Sequence, residues 1–283
     1  MSEARLLEKC LQQATAQLVA AGLGSPRHEA RLLLGHWLGR DPAALLGPQT
    51  EYIDNPKFFF DLVKRRVNRE PMSHLLGYRE FWSLSFDVTS SVLDPRPDSE
   101  ALVESVLKEF PHKDEEFQIL DFGTGTGCLI LSVLSERPQA IGVGVDVSKD
   151  ALKIANQNTK KLSFTGRVSF LESDWGENVS GSFDCILANP PYIVSEDIDA
   201  LEPEVAQFEP RLALDGGIDG LECYRAISKD LKRLLAPGGK AFFEIGEGQA
   251  PAVIDILESA NLRLVRSVAD LGGHIRCLIA NAH

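Results

Sequence analysis

The sequence predicts an α/β protein: a mostly parallel seven-stranded sheet covered on both faces, plus a small N-terminal helical bundle domain joined to it by a β-hairpin. Three observations carry this. From about residue 97, strand-length apolar runs alternate with helix-length amphipathic ones, the pattern of a sheet built by crossover connections. Residues 1–71 show only helical periodicity, and residues 72–96 hold short aromatic runs ending in Asp94-Pro95-Arg96-Pro97.

In the first segment Leu7, Leu11, Ala14 and Leu18 fall on one helical face. Ser25-Pro26 reads as a cap followed by a first-turn proline, and Ala30, Leu33, Leu34, Trp37 and Leu38 form the next stripe. Asn55-Pro56 repeats the start signal before Phe59, Leu62, Val63 and Arg66. Helices this short need one another, so a bundle is expected over 1–71. Phe81, Trp82, Leu84, Phe86 and Val88 suggest short strands, read as a linking hairpin over 72–96.

The third segment, 97–283, is expected to hold helices at 100–110, 129–135, 149–161, 221–235 and 250–259. Its strands are expected at 117–122, 140–147, 167–171, 183–188, 240–245, 262–268 and 275–280. The fourth strand lacks polar alternation after Asp184 and should be buried on both faces. Pro237-Gly238-Gly239 reads as the turn into the fifth.

Composition narrows the function. Acidic residues number 41 against 29 basic, a net charge of -12, which argues against a bare nucleic-acid binder and suits a basic protein partner. No apolar run of about 18 residues exists, so no membrane span is expected. Glu3 and Glu8 interrupt the N-terminus, which lacks the apolar centre of a signal peptide. Five cysteines, an odd number without Cys-x-x-Cys spacing, read as reduced thiols of a cytoplasmic protein. Scattered histidines predict no metal.

Two motifs carry chemistry. Gly123-Thr124-Gly125-Thr126-Gly127 ends the first sheet strand and opens a helix, at the edge where open α/β sheets bind ligands. A dinucleotide fingerprint would place glycine at 128, where this chain has Cys128, so a ligand without a pyrophosphate is expected. Asp146, ending the second strand, suits the two ribose hydroxyls; it also suits a helix cap, a task Ser148 does better. Asp174 and Trp175 follow the third strand and can meet an adenine amino group and ring face. Taken singly, each equally fits a surface acid and a core tryptophan. Asn189-Pro190-Pro191-Tyr192 follows the fourth strand. Its prolines stiffen the backbone, so that the Asn189 side-chain oxygen and the Pro190 carbonyl can converge on one NH2 group, with Tyr192 against its flat face.

Asn-Pro-Pro-Tyr in this place resembles the mark of methyltransferases acting on planar nitrogen. Glu80-Phe81-Trp82-Ser83, Pro95-Arg96-Pro97-Asp98-Ser99-Glu100, Phe208–Gly217 and Asp219-Gly220-Leu221 narrow the resemblance, over nearly the whole chain, to the HemK-type release-factor glutamine methyltransferases. The resemblance implies a Rossmann-like class I methyltransferase fold and S-adenosyl-L-methionine as cofactor. It implies the glutamine of the Gly-Gly-Gln loop of peptide-chain release factors as substrate, in a monomeric cytoplasmic enzyme without direct nucleic-acid binding. It places the cofactor on Gly123, Thr124, Gly125, Thr126, Gly127, Asp146, Trp175 and Asn189, and the substrate on Asn189, Pro190, Pro191 and Tyr192. Asn189, Pro190 and Tyr192 would be the catalytic set. Asp94 stands where the family carries an apolar residue, which bears on local packing. Asp215-Gly216-Gly217 would form a flap or an ordinary loop. A sister glutamine methyltransferase of a ribosomal protein shares the tetrapeptide, and a DNA or RNA base amino-methyltransferase could use the same acceptors.

Overall fold

The computed structural model of the chain describes residues 5–269 and 273–282; the outermost ends of the first and third predicted segments lie outside them. The chain folds into two compact units. One comprises residues up to Gly77 together with Glu202–Phe208; the other comprises Tyr78–Leu201 and the residues from Glu209 onward.

The first unit packs helices α1 (Leu7–Ala20), α2 (Pro26–Leu38), α3 (Lys57–Val67) and α4 (Met72–Leu76) around one core. The predicted stripes face inward: Leu7, Leu11, Ala14, Leu18, Leu33, Leu34, Phe59 and Val63 are all buried. Four details differ from expectation. Ser25 occupies the N-cap position but its side chain caps nothing. Pro56, not Asn55, takes the N-cap of α3, and Asn55 adopts a left-handed φ of 50°. Two short strands, β1 (Arg5–Leu6) and β2 (Tyr52–Ile53), pair antiparallel, too short to leave a periodic signal. Met72–Leu76, expected within the hairpin stretch, is helical.

The short helix Pro203–Phe208, α8 in chain order, completes this unit. Arg66, only 8% exposed in its side chain, donates to Glu29 at 2.8 Å and to Glu204 at 2.9 Å. Arg69 donates to Glu204 at 2.9 Å and to Glu202 at 3.1 Å. Buried guanidinium charge requires such pairing.

The second unit begins with a hairpin, β3 (Tyr78–Phe81) and β4 (Leu84–Asp87). Its two-residue turn, Trp82-Ser83, takes φ of 51° and 59°, the twist a tight hairpin needs. Trp82 holds that turn in place: its backbone N–H donates to Glu100 and its indole to Glu136. The rest alternates as expected: α5 (Glu100–Glu109), β5 (Gln118–Phe122), α6 (Cys128–Glu136), β6 (Ile141–Asp146), α7 (Lys149–Lys161), β7 (Val168–Glu172) and β8 (Phe183–Ala188). Then follow α9 (Glu222–Leu234), β9 (Leu235–Glu244), α10 (Ala250–Ser259), β10 (Leu262–Ala269) and β11 (Ile275–Ala282).

The seven strands order as β10-β11-β9-β8-β5-β6-β7. All neighbours from β9 to β7 run parallel, while β11 pairs antiparallel with β9 and β10. Apolar β8 lies between β5 and β9, buried on both faces as its unbroken pattern requires. Two cores flank the sheet: α9 and α10 with Phe122, Ile186 and Phe243 on one face, and α5 and α6 with Ile119, Leu187 and Phe242 on the other. Pro237-Gly238-Gly239, expected as a turn, lies within β9. Its pairing to β8 is irregular between Phe183 and Cys185, where the extra residues are absorbed.

Candidate active site

Strand order reverses between β5 and β8, the crevice where open α/β sheets place ligands. A cavity of about 340 Å³ opens there, a size typical of small-molecule sites. Gly123, Gly125, Asp146, Asp174, Trp175, Asn189 and Pro191 line it.

The loop between β5 and α6 has the shape its glycines allow. Gly123, Gly125 and Gly127 have φ of 63°, 54° and 79°, a region L side chains rarely enter. The two threonines between them turn inward and brace the loop. Thr124 donates to Asp121 at 2.7 Å, and Thr126 accepts through its carbonyl from Asn158 at 2.9 Å. Thr124, Thr126, Gly127, Pro190 and Tyr192 are not among the residues lining the cavity. Asp121 is fully buried, and burial raises its pKa to about 7 against the opposing Thr124 bond; its Oδ1 has no partner.

Asp146 accepts from the Gly125 N–H at 3.0 Å and the Ser148 N–H at 2.9 Å. The second bond is a local turn, while the Ser148 hydroxyl caps α7 by accepting from Ala151. Asp146 thus ties the glycine loop to the end of β6, and each oxygen keeps a further lone pair for a ligand. Burial, the dominant cause, raises its pKa. Trp175 packs edge-on against Phe122, with ring centroids 6.3 Å apart. A Cβ placed on Gly123 would lie 3.7 Å from the Trp175 ring, so the indole sits over the loop. Ser173 fixes the turn, donating to the Trp175 carbonyl at 2.8 Å and accepting from the Asn178 N–H.

The tetrapeptide leaves β8 directly into this cavity. Asn189 Nδ2 donates to Ser99 Oγ at 3.1 Å, which leaves the amide oxygen as the end available to a ligand. Pro190 is buried and Pro191 reaches the lining. Tyr192 packs against the core, where burial raises its phenol pKa. Its carbonyl accepts from Gln249 Nε2 at 3.0 Å. The stretch after it is stitched to Asp215-Gly216-Gly217 by a β-bridge from Ile193 to Asp215, and by Gly216 N–H to the Ile193 carbonyl at 2.8 Å. Any Cβ on Gly216 would stand 2.8 Å from the Tyr192 Cα, so only glycine permits this approach.

Other lining residues carried no assigned role in the sequence reading: Ser91, Val92 and Leu93 after the hairpin, Ala151 and Cys223 on helices, and Pro210 with Leu212 beyond α8. Nothing local marks them, although Pro210 and Leu212 lie in the quoted Phe208–Gly217 motif. Glu209, beside Pro210, accepts from Arg96 Nη2 at 2.7 Å and 2.8 Å. Burial outweighs that guanidinium and raises the Glu209 pKa to about 7, with Asp94 adding to the rise. Asp94 itself is buried, with Oδ1 unpartnered.

The family profile described as the methyltransferase small domain matches residues 96–216, and that of the PrmC N-terminal domain matches residues 9–77. A release factor glutamine methyltransferase of Rhodospirillum rubrum is 43% identical over 98% of this chain and 85% of its own length. One of Caulobacter vibrioides is 41% identical over 96% of this chain and 95% of its own. Among solved structures, the ribosomal protein L11 methylase of Lactobacillus delbrueckii superposes with a TM-score of 0.50 at 18% identity, covering 68% of this chain and 84% of its own, a likeness of fold. The second unit is a Rossmann-like class I methyltransferase fold, and the chain belongs to the release factor glutamine methyltransferase family.

Proposed function

We propose that this chain transfers a methyl group from S-adenosyl-L-methionine to the side-chain amide nitrogen of the glutamine in the Gly-Gly-Gln loop of bacterial peptide-chain release factors. One observation carries the reading. Asn189, first residue of Asn189-Pro190-Pro191-Tyr192, lines the same cavity as the glycine loop, Asp146 and Trp175.

The cavity residues fit that cofactor. The Gly125 backbone stands clear of side chains and Gly123 meets only the Trp175 ring, Asp146 keeps lone pairs for ribose hydroxyls, and Trp175 offers a ring face beside Asp174 for adenine. When bound, the cofactor supplies an activated methyl on a sulfonium.

The protein's task is then positional. Amide nitrogen is a weak nucleophile because its lone pair is delocalised. The Asn189 amide oxygen and the Pro190 carbonyl accept from the glutamine NH2, hold it in line and draw electron density onto nitrogen. Alignment of this kind contributes about 7–11 kcal/mol to a displacement. Pro190-Pro191 keeps these acceptors from relaxing, and Tyr192 closes the far side. None of the described residues lining the cavity is a lysine or histidine, so the amide proton leaves to water after the C–N bond forms. Five thiols without disulfides suit a reducing compartment, the cytoplasm.

The test is label transfer from radiolabelled cofactor to purified release factor, ribosomal protein and nucleic acid in parallel. Label on the release factor alone, resistant to nuclease, is expected. Label confined to a ribosomal protein, or removed by nuclease, overturns the substrate assignment.

A further inference from the structure

Asn189 can act only if its amide presents oxygen, not nitrogen, to the cavity, and the two ends of an amide have nearly the same shape. Something must fix the choice. Ser99, 3% exposed at the start of α5, accepts from Asn189 Nδ2 at 3.1 Å. A hydroxyl that accepts there must send its own proton elsewhere. Glu244, the last residue of β9, meets that need: it is 4% exposed, and the Ser99 hydroxyl and the Asn189 amide both act on its carboxylate to favour the ionised form. Its backbone is pinned as well, since the Tyr224 hydroxyl donates to the Glu244 carbonyl at 2.9 Å.

A carboxylate buried at the carboxyl end of a central strand costs stability unless it is used, and Glu244 Oε2 has no partner. Glu244 does not line the cavity. Two of the groups that act on it, Ser99 and Asn189, lead to the amide that does line the cavity. We propose that Glu244 and Ser99 are positioning residues that bind the NH2 end of the Asn189 amide, so that its oxygen faces the substrate. Three strand or helix ends, those of β8, β9 and α5, meet at this point. The inference rests on the reading of Asn189 as the residue that orients the substrate amide.

The device is sensitive to pH. Burial raises the Glu244 pKa to about 7, with Asp98 adding to the rise; Arg276, Ser99 and Asn189 oppose it. Tyr192, Tyr224, Cys128 and Cys277 also lie within its field. The ionised carboxylate is the stronger acceptor, so the grip on Asn189 loosens as Glu244 gains a proton.

Full-length wild type, S99A and E244Q are compared for kcat on release factor, for cofactor Kd, and for solvent exchange of the ¹⁵N-labelled Asn189 side-chain amide. In S99A, kcat is expected to fall about tenfold while cofactor Kd changes less than about threefold, as expected for a misaligned rather than an unfolded site. Exchange of the amide protons should accelerate by about tenfold or more in both variants. In wild type, kcat should show an acid limb at or below about pH 7, and E244Q should lose it. Wild-type kcat in S99A, unchanged amide exchange, or an acid limb that persists in E244Q overturns the proposal. So does a cofactor affinity that falls in step with kcat. If wild type does not methylate release factor, the functional reading fails, and the exchange measurement still decides how Asn189 is held.

Discussion

The proposed roles of Asn189 and Asp146 differ, and substitutions should separate them. Asn189→Ala removes the acceptor proposed to orient the substrate. It should lower kcat by about 100-fold or more, the scale of a misplaced reacting group, while cofactor still binds through the glycine loop. Asp146→Ala removes the partner of the Gly125 and Ser148 N–H groups as well as the acceptor proposed for the ribose. Its effect should fall on binding: cofactor Kd rises by about 10- to 100-fold, as for one to two lost charge-assisted hydrogen bonds. Calorimetric titration and steady-state kinetics on the same preparations check both. A weakened cofactor in Asn189→Ala with unaltered turnover at saturation would reverse the assignment.

At the scale of elements, the structure depends on distant pairings that local patterns do not carry. Arg66 on α3 is sandwiched between Glu29 of α2 and Glu204 of α8. Arg66→Ala should destabilise the first unit by about 3 kcal/mol, since it leaves two partly buried carboxylates without their cation; denaturant unfolding followed by a probe in that unit measures it. The helices and seven strands of the second unit were legible to within a residue or two in most cases, because most carry either a periodic apolar stripe or, like β8, an unbroken apolar run. Gly123, Gly125, Asp146, Asn189 and Pro191 were legible as neighbours of one cavity because glycines, prolines and strand-end acids show in sequence. What was not legible is tertiary. Nothing near residues 202–208 says that they join the first unit, and nothing near Glu244 says that β9 ends beside Asn189. Ser25 and Asn55 misled as side-chain caps because prolines beside them already set the helix starts.

Across the whole molecule, buried acids shape the response to pH. Asp121, Glu209 and Glu244 are each pushed from about 4 to about 7 by burial. Between these values the folded protein keeps protons that the unfolded chain has released, so stability falls as pH rises through that window and levels off above it. For Glu244 the shift from 4.5 to about 7 corresponds to ~3 kcal/mol. Part-buried acids held low by their partners, such as Asp215 with Ser195 and Glu109 with Lys240, act in the opposite sense at lower pH. Thermal unfolding from pH 5 to 8 should show a declining midpoint in wild type and a shallower decline in E244Q. A midpoint that rises through this range would refute the assignment of these acids as protonated by burial.

The most direct test is mass spectrometry of a release factor after incubation with this protein and S-adenosyl-L-methionine. One added methyl on the glutamine of the Gly-Gly-Gln loop is the expected result, absent with Asn189→Ala. A methyl at another residue, none at all, or the same modification from the Asn189→Ala variant would contradict it.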